Sequence, residues 1–224
     1  MLFDLSAARA WSCGRLKGMW RLLGVALWLM VSLPAQDLFP KHYINFGPGI
    51  GLPRGEINAY FRTKPAVTAN YGYRFHRYYQ ADAGYDVVLH AADTRAFLDT
   101  QLGSFRIRDY QHFVTFGGRG VVPLARGRVL FSAGGGGALL RYQESVSQPS
   151  NYIRFACPQC TARTGWGNYA LASIRFSTRW QRVWFGVTTK VIRGRTEGDA
   201  FGGLPTARTK DNWFNTFGEV GFAF

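Results

Sequence analysis

Trp213-Phe-Asn-Thr-Phe-Gly-Glu-Val-Gly-Phe-Ala-Phe224, the last twelve residues, decides the fold. Phe214, Val220, Phe222 and Phe224 fall at even spacing, so an extended strand here carries one apolar face out to its final residue. Period-two alternation is the strand signature, because successive side chains point to opposite faces. A soluble domain rarely leaves an aromatic carboxy-terminus exposed. The segment therefore reads as the closing strand of a membrane barrel.

Seven more alternating stretches precede it, at about 42–52, 66–76, 78–89, 109–122, 128–142, 167–179 and 183–193. The second is the cleanest: Val67, Ala69, Tyr71, Tyr73 and Phe75 oppose Thr68, Asn70, Gly72, Arg74 and His76. Eight is an even count, as single-chain bacterial barrels require. The joints alternate in length. Short ones fall near 76–77, 123–127 and 179–182, and longer polar ones near 53–65, 90–108, 143–165 and 194–212. The expected class is all-β, an eight-stranded antiparallel up-and-down transmembrane β-barrel with its turns in the periplasm and its loops outside.

The amino end supplies a matching address. Leu22–Leu33 is an apolar run preceded by Arg21 and followed by Pro34-Ala35-Gln36, the layout of a secretory signal. It is too short to span a bilayer, which needs about 20 apolar residues. The expected domains are a signal peptide at 1–35, with its true start at Met19, and an outer-membrane barrel at 36–224. Of the 27 bases and 13 acids, residues 1–35 hold Arg9, Arg15, Lys17, Arg21 and Asp4, so the exported chain keeps a net charge of +11. A strongly basic protein suits nucleic acid, acidic polymers or phosphate-rich lipid, and export points to lipid, not nucleic acid.

Along the strands the minority face is the charged one. Arg74, Arg119, Arg175 and Lys190 stand against Asp82, Asp86 and Glu219. Such groups cannot face hydrocarbon, so they are expected inside, paired. An eight-stranded barrel is just wide enough for side chains to fill, which predicts a mostly plugged interior.

On the signal segment, the alternating strands, the loop asymmetry and the terminal Phe222-Ala223-Phe224, residues 40–224 resemble the small eight-stranded outer-membrane barrels of the OmpA and OmpX type. The resemblance implies a barrel without a periplasmic domain, and a last strand whose Phe222 and Phe224 are read by the barrel-assembly machinery. Where the family pattern has Gly, this chain has Glu219.

Three local features could carry chemistry. Cys157-Pro158-Gln159-Cys160 falls in a long loop and is expected to form a small disulfide. A redox motif would need a helix N-terminus to lower a thiol pKa, and a zinc site would need two further ligands. His90, with Asp93 nearby, is the one histidine at the outer rim, where some small barrels carry a lipid-modifying base. Tyr43, Tyr78, Tyr79, Trp166, Trp180, Trp184 and Trp213 are read as interfacial belts. The loops are rich in arginine, whose guanidinium fork matches phosphate, and Arg106, Arg108, Arg193 and Arg195 are candidate contacts for lipid phosphate, including that of lipopolysaccharide. The expectation is a monomeric, non-enzymatic barrel without cofactor or metal, serving membrane integrity or surface interaction. A small pore for ions or solutes is the alternative, and a lipid-modifying enzyme a more distant one.

Overall fold

Strand alternation survives in three dimensions almost residue for residue. The computed structural model describes residues 40–92, 97–100, 103–146, 162–178, 182–198 and 208–224. The expected signal segment, Asp93, Trp180 and the Cys157–Cys160 pair lie outside the described residues. The strands are β1 (His42–Arg54), β2 (Lys64–His76), β3 (Tyr79–Leu89), β4 (Phe97–Thr100), β5 (Gly103–Leu124), β6 (Val129–Val146), β7 (Ala162–Ser177), β8 (Val183–Gly198) and β9 (Thr209–Ala223). Eight of them close into an all-antiparallel ring, β1-β2-β3-β5-β6-β7-β8-β9 and back to β1. The fold is a closed eight-stranded antiparallel β-barrel.

β4 stands apart from the ring. It pairs only with the first residues of β5, Phe97 opposite Arg106 through Thr100 opposite Gly103. The alternation predicts a long polar joint here and a fourth barrel strand from about 109, whereas β5 runs from Gly103. The short joints are as expected: Arg77-Tyr78 links β2 to β3, and a 3-10 turn at Ala125–Gly127 links β5 to β6.

The seam that closes the ring is β1 against β9. Ile44 lies opposite Phe222 and Tyr43 opposite Ala223. The Phe224 carbonyl accepts from the His42 amide at 2.9 Å, and the Phe224 amide donates back to the His42 carbonyl at 3.0 Å. The Phe224 ring stacks on His42 with centroids 5.4 Å apart. The last residue therefore completes the ladder as well as the apolar face.

Outward positions are apolar and exposed: Phe46, Val67, Tyr71, Phe116, Phe131, Ile174 and Val187 all point away from the lumen. A continuous apolar band of this kind is stable only against hydrocarbon or a protein partner. On the inner face of β5 and β6 the backbones run so close that side chains do not fit. A Cβ on Gly136 would sit within the van der Waals radius of the Phe116 carbonyl oxygen, and one on Gly134 would meet the Gly118 carbonyl in the same way. Glycine at these positions permits the close approach.

Candidate functional site

The lumen is layered along its axis. At the short-turn end Tyr43, Val121, Leu130, Trp184 and Ala223 are buried together. Above them lies a polar band. Toward the long-loop end a larger apolar cluster includes Phe113, Leu140, Tyr142, Tyr169, Ile192, Trp213 and Phe217. The first loop contributes to this cluster. Its 3-10 turn, Gly55–Ala59, opens on Gly55 at φ 72°, a left-handed conformation that glycine adopts without strain. That turn tucks Ile57 inward, and Phe61 packs edge-on against both Tyr142 and Trp213 at 5.3 Å.

The polar band holds all seven charges expected to face inward, each of them buried. Asp82 uses both oxygens: Arg119 Nε donates to Oδ2 at 2.5 Å and Gln80 Nε2 to Oδ1 at 2.6 Å. Asp86 accepts from Lys190 Nζ at 2.8 and 3.0 Å and from the Thr68 hydroxyl at 2.5 Å. Lys190 also donates to Asn70 Oδ1 at 2.8 Å, while Asn70 Nδ2 donates to Glu219 Oε1 at 3.1 Å. Glu219 Oε2 accepts from Thr188 at 2.8 Å and lies 3.9 Å from Arg175 Nη2. With the Asn45 amide turned so that its oxygen faces the guanidinium, Arg175 Nη2 donates to it at 2.7 Å. Arg74 lays its guanidinium over the Tyr43 ring, 4.7 Å from the centroid. Thus Arg119 and Lys190 meet acids at hydrogen-bond distance, Arg175 lies within ion-pair reach of Glu219 and bonds Asn45, and Arg74 covers Tyr43.

Position in the ring gives these contacts their meaning. β3 and β8 are four strands apart in a ring of eight, so the Asp86–Lys190 pair crosses the full diameter of the lumen. β5 and β9 are also four strands apart, and the Phe113 and Trp213 rings meet edge to face at 5.6 Å across it. Polar and aromatic side chains reach the axis from opposite walls.

Three residues read as interfacial belt are corrected by this geometry. Tyr43, Trp184 and Trp213 are 1%, 2% and 1% exposed, inside the barrel. The signal was present in the parity: Trp184 shares its face with Thr188 and Lys190, and Trp213 shares its face with Glu219. Their composition suggested a membrane interface, whereas packing inside a narrow lumen buries the rings more completely. Trp166 does lie on the outer wall, 64% exposed and edge-on to Phe116 at 6.3 Å.

His90 sits at the end of β3 with φ 54°, its Nδ1 3.9 Å from Asp109. Asp109 in turn accepts from the Ala92 amide at 2.7 Å, and burial raises its pKa despite that bond. Asp109 lies five residues nearer the long-loop end than Val114, the partner of Tyr85, and Asp211 three residues nearer it than Phe214. Burial raises the Asp211 pKa too, against the lowering effect of hydroxyls from Thr196 and Thr209.

The four arginines expected to meet lipid phosphate are not one cluster. Arg106 and Arg108 lie on β5, three strands round the wall from Arg193 and Arg195 on β8. Arg193 is joined instead by an arginine from the first strand. Arg54 of β1 and Arg193 of β8 both flank Asn212 of β9 in one row of the sheet.

No protein-family model and no curated protein matches the sequence. Among solved structures, the outer membrane protein OprG from Pseudomonas aeruginosa superposes with a TM-score of 0.53 at 11% identity, covering 83% of this chain and 97% of that one. Ail, the attachment invasion locus protein of Yersinia pestis, solved in complex with the heparin analogue sucrose octasulfate, gives 0.50 at 10% identity, covering 84% and 100%. At these identities the likeness is one of fold: the chain has the fold of the small outer-membrane barrels.

Proposed function

We propose that the protein is a non-enzymatic, integral outer-membrane barrel that does not conduct, and that it serves membrane integrity or surface interaction through its long-loop end. The observation that carries this reading is the Asp86–Lys190 pair bonded across the lumen diameter at 2.8 Å. A pore needs a water path along its axis. Here an apolar cluster around Trp213 lies on one side of the pair and the Tyr43 layer on the other, which supports a filled axis. The apolar outer wall and the fold shared with OprG and Ail support the location. The short turns then face the periplasm, the long loops face outward, and Phe222 and Phe224 present the assembly signal.

The proposed partners are the barrel-assembly machinery and anionic lipid of the outer leaflet, lipopolysaccharide included. The basic outer rim supports the second, because guanidinium pairs with phosphate through parallel hydrogen bonds. His90 with Asp109 is too common an arrangement at a strand end to carry catalysis. Fractionation of the cell envelope tests the reading. The protein is expected in the outer-membrane fraction, with different gel mobility before and after heating. Recovery as a soluble periplasmic protein without a mobility shift would overturn it.

A further inference from the structure

We infer that the outer wall carries a specific site for the phosphoryl headgroup of an anionic lipid, centred on Arg54, Arg193 and Asn212. The inference rests on the membrane location proposed above and narrows its lipid partner to one place on the barrel.

A recess of about 270 Å³ opens on the wall, lined by Arg54, Val191, Arg193, Asn212, Trp213 and Phe214. The sheet register fixes its upper edge. Asn212 is the partner of Arg54 on one side and of Arg193 on the other, so the two arginine Cα atoms flank it at about 10 Å, two strand spacings. That separation lets two long side chains close on one tetrahedral anion from both sides, with the Asn212 amide between them. One outward step nearer the loops, Lys210 of β9 lies opposite Arg195 of β8, about 7 Å along the strands. Four cations thus share a small outward patch. Among the described residues none of the four forms an ion pair; Glu197, the neighbouring acid, is engaged by Arg208 at 3.0 Å.

Unpaired arginines on an exposed loop are simply solvated, but these stand on the barrel wall directly above apolar surface. Val191 and Phe214 form the lower side of the recess; in the row below them Ile50, 47% exposed, stands beside Thr216 and Thr189, whose hydroxyls satisfy each other at 3.3 Å, and Val187, 47% exposed, continues the apolar wall beneath. Opposite Val187 lies Gly218, where a Cβ would meet nothing within 4 Å. A cationic lip over an apolar trough is complementary to an amphiphile with a phosphorylated head and an acyl chain. A free anion would use only the lip. Arginine suits the position because its stem packs on apolar surface while its head reaches the headgroup level.

The test uses the folded full-length barrel in neutral detergent and measures binding of a bisphosphorylated lipid A, its dephosphorylated form and inorganic phosphate. Two double variants are compared: Arg54→Gln with Arg193→Gln, and Arg106→Gln with Arg108→Gln, which removes the same charge three strands away. Tighter binding of the phosphorylated lipid than of the dephosphorylated one, weakened at least tenfold by the first pair and less than twofold by the second, supports the site. Equal losses for the two pairs would reduce the effect to net charge and overturn it. Phosphate-independent binding, or full competition by millimolar inorganic phosphate, would also overturn it. If the first pair fails to show the folded mobility, Arg54→Lys with Arg193→Lys keeps the charge without the fork, and an unchanged affinity in that variant counts against a bidentate site. Because binding is read on purified folded protein, a negative result here leaves the envelope location standing, and a misplaced protein fails fractionation first.

Discussion

Asp86 is wholly buried, and the side chains that bond its carboxyl group come from other strands: Lys190 across the lumen and Thr68 beside it. Breaking a buried pair by removing one partner strands the other charge and costs about 3–5 kcal/mol, whereas replacing both with apolar groups is often neutral. Lys190→Met alone is therefore expected to lower unfolding stability in vesicles by about that amount. Lys190→Met combined with Asp86→Leu recovers most of the loss. A double-mutant cycle on urea unfolding checks this, and additive losses would show that the pair is not coupled. A different response is expected of Asp109 and Asp211. Burial raises both above the ordinary aspartate value of 3.8, so over the interval from 3.8 up to the raised values the folded state binds more protons than the unfolded one. Stability then falls as pH rises through that interval and is greatest on its acid side. Asp109→Asn with Asp211→Asn is expected to flatten the dependence, measured as the urea midpoint between about pH 4 and 7; an unchanged slope would assign it to other groups.

Strands differ in how openly they declared their faces. β2, β7 and β8 alternate sharply between polar and apolar residues, so their inward sets were legible, down to Arg74, Arg175 and Lys190. The loop end of β3 and the middle of β5 were not. Val87, Val88 and Phe113 are all buried, because the lumen itself turns apolar there and the polar-inside rule loses its contrast. The recess between Arg54 and Arg193 was invisible for another reason: the pair is separated by 139 positions in the sequence and is brought together only by the register of β9. Two strand-level outcomes follow. Gly136→Val is expected to abolish the folded, heat-modifiable band, because its side chain would collide with the β5 backbone, whereas Ala133→Val on the outer face of the same strand is tolerated. Removal of Phe224 takes two seam hydrogen bonds and the His42 stack with it, so it should slow assembly in vesicles of pure lipid as well as in cells. Slowing in cells alone would leave recognition by the assembly machinery as its whole role.

The barrel as a unit combines an apolar outer wall with a lumen bridged from opposite sides. Eight strands enclose so narrow a lumen that two side chains suffice to bridge it, and here a salt bridge and an aromatic pair both do. Its overall class was legible from the alternation and the loop lengths alone. That the lumen is layered, apolar then polar then apolar, emerged only when the ring closed and placed Trp213 opposite Phe113. The proposed role rests on that layering: an occupied axis would leave interaction to the outer surface. Single-channel recording of the folded protein in planar bilayers tests this most directly. Protein that shows the heat-dependent mobility shift is expected to give no stable unitary conductance; reproducible unitary steps from the same folded preparation would contradict a closed lumen and establish a pore.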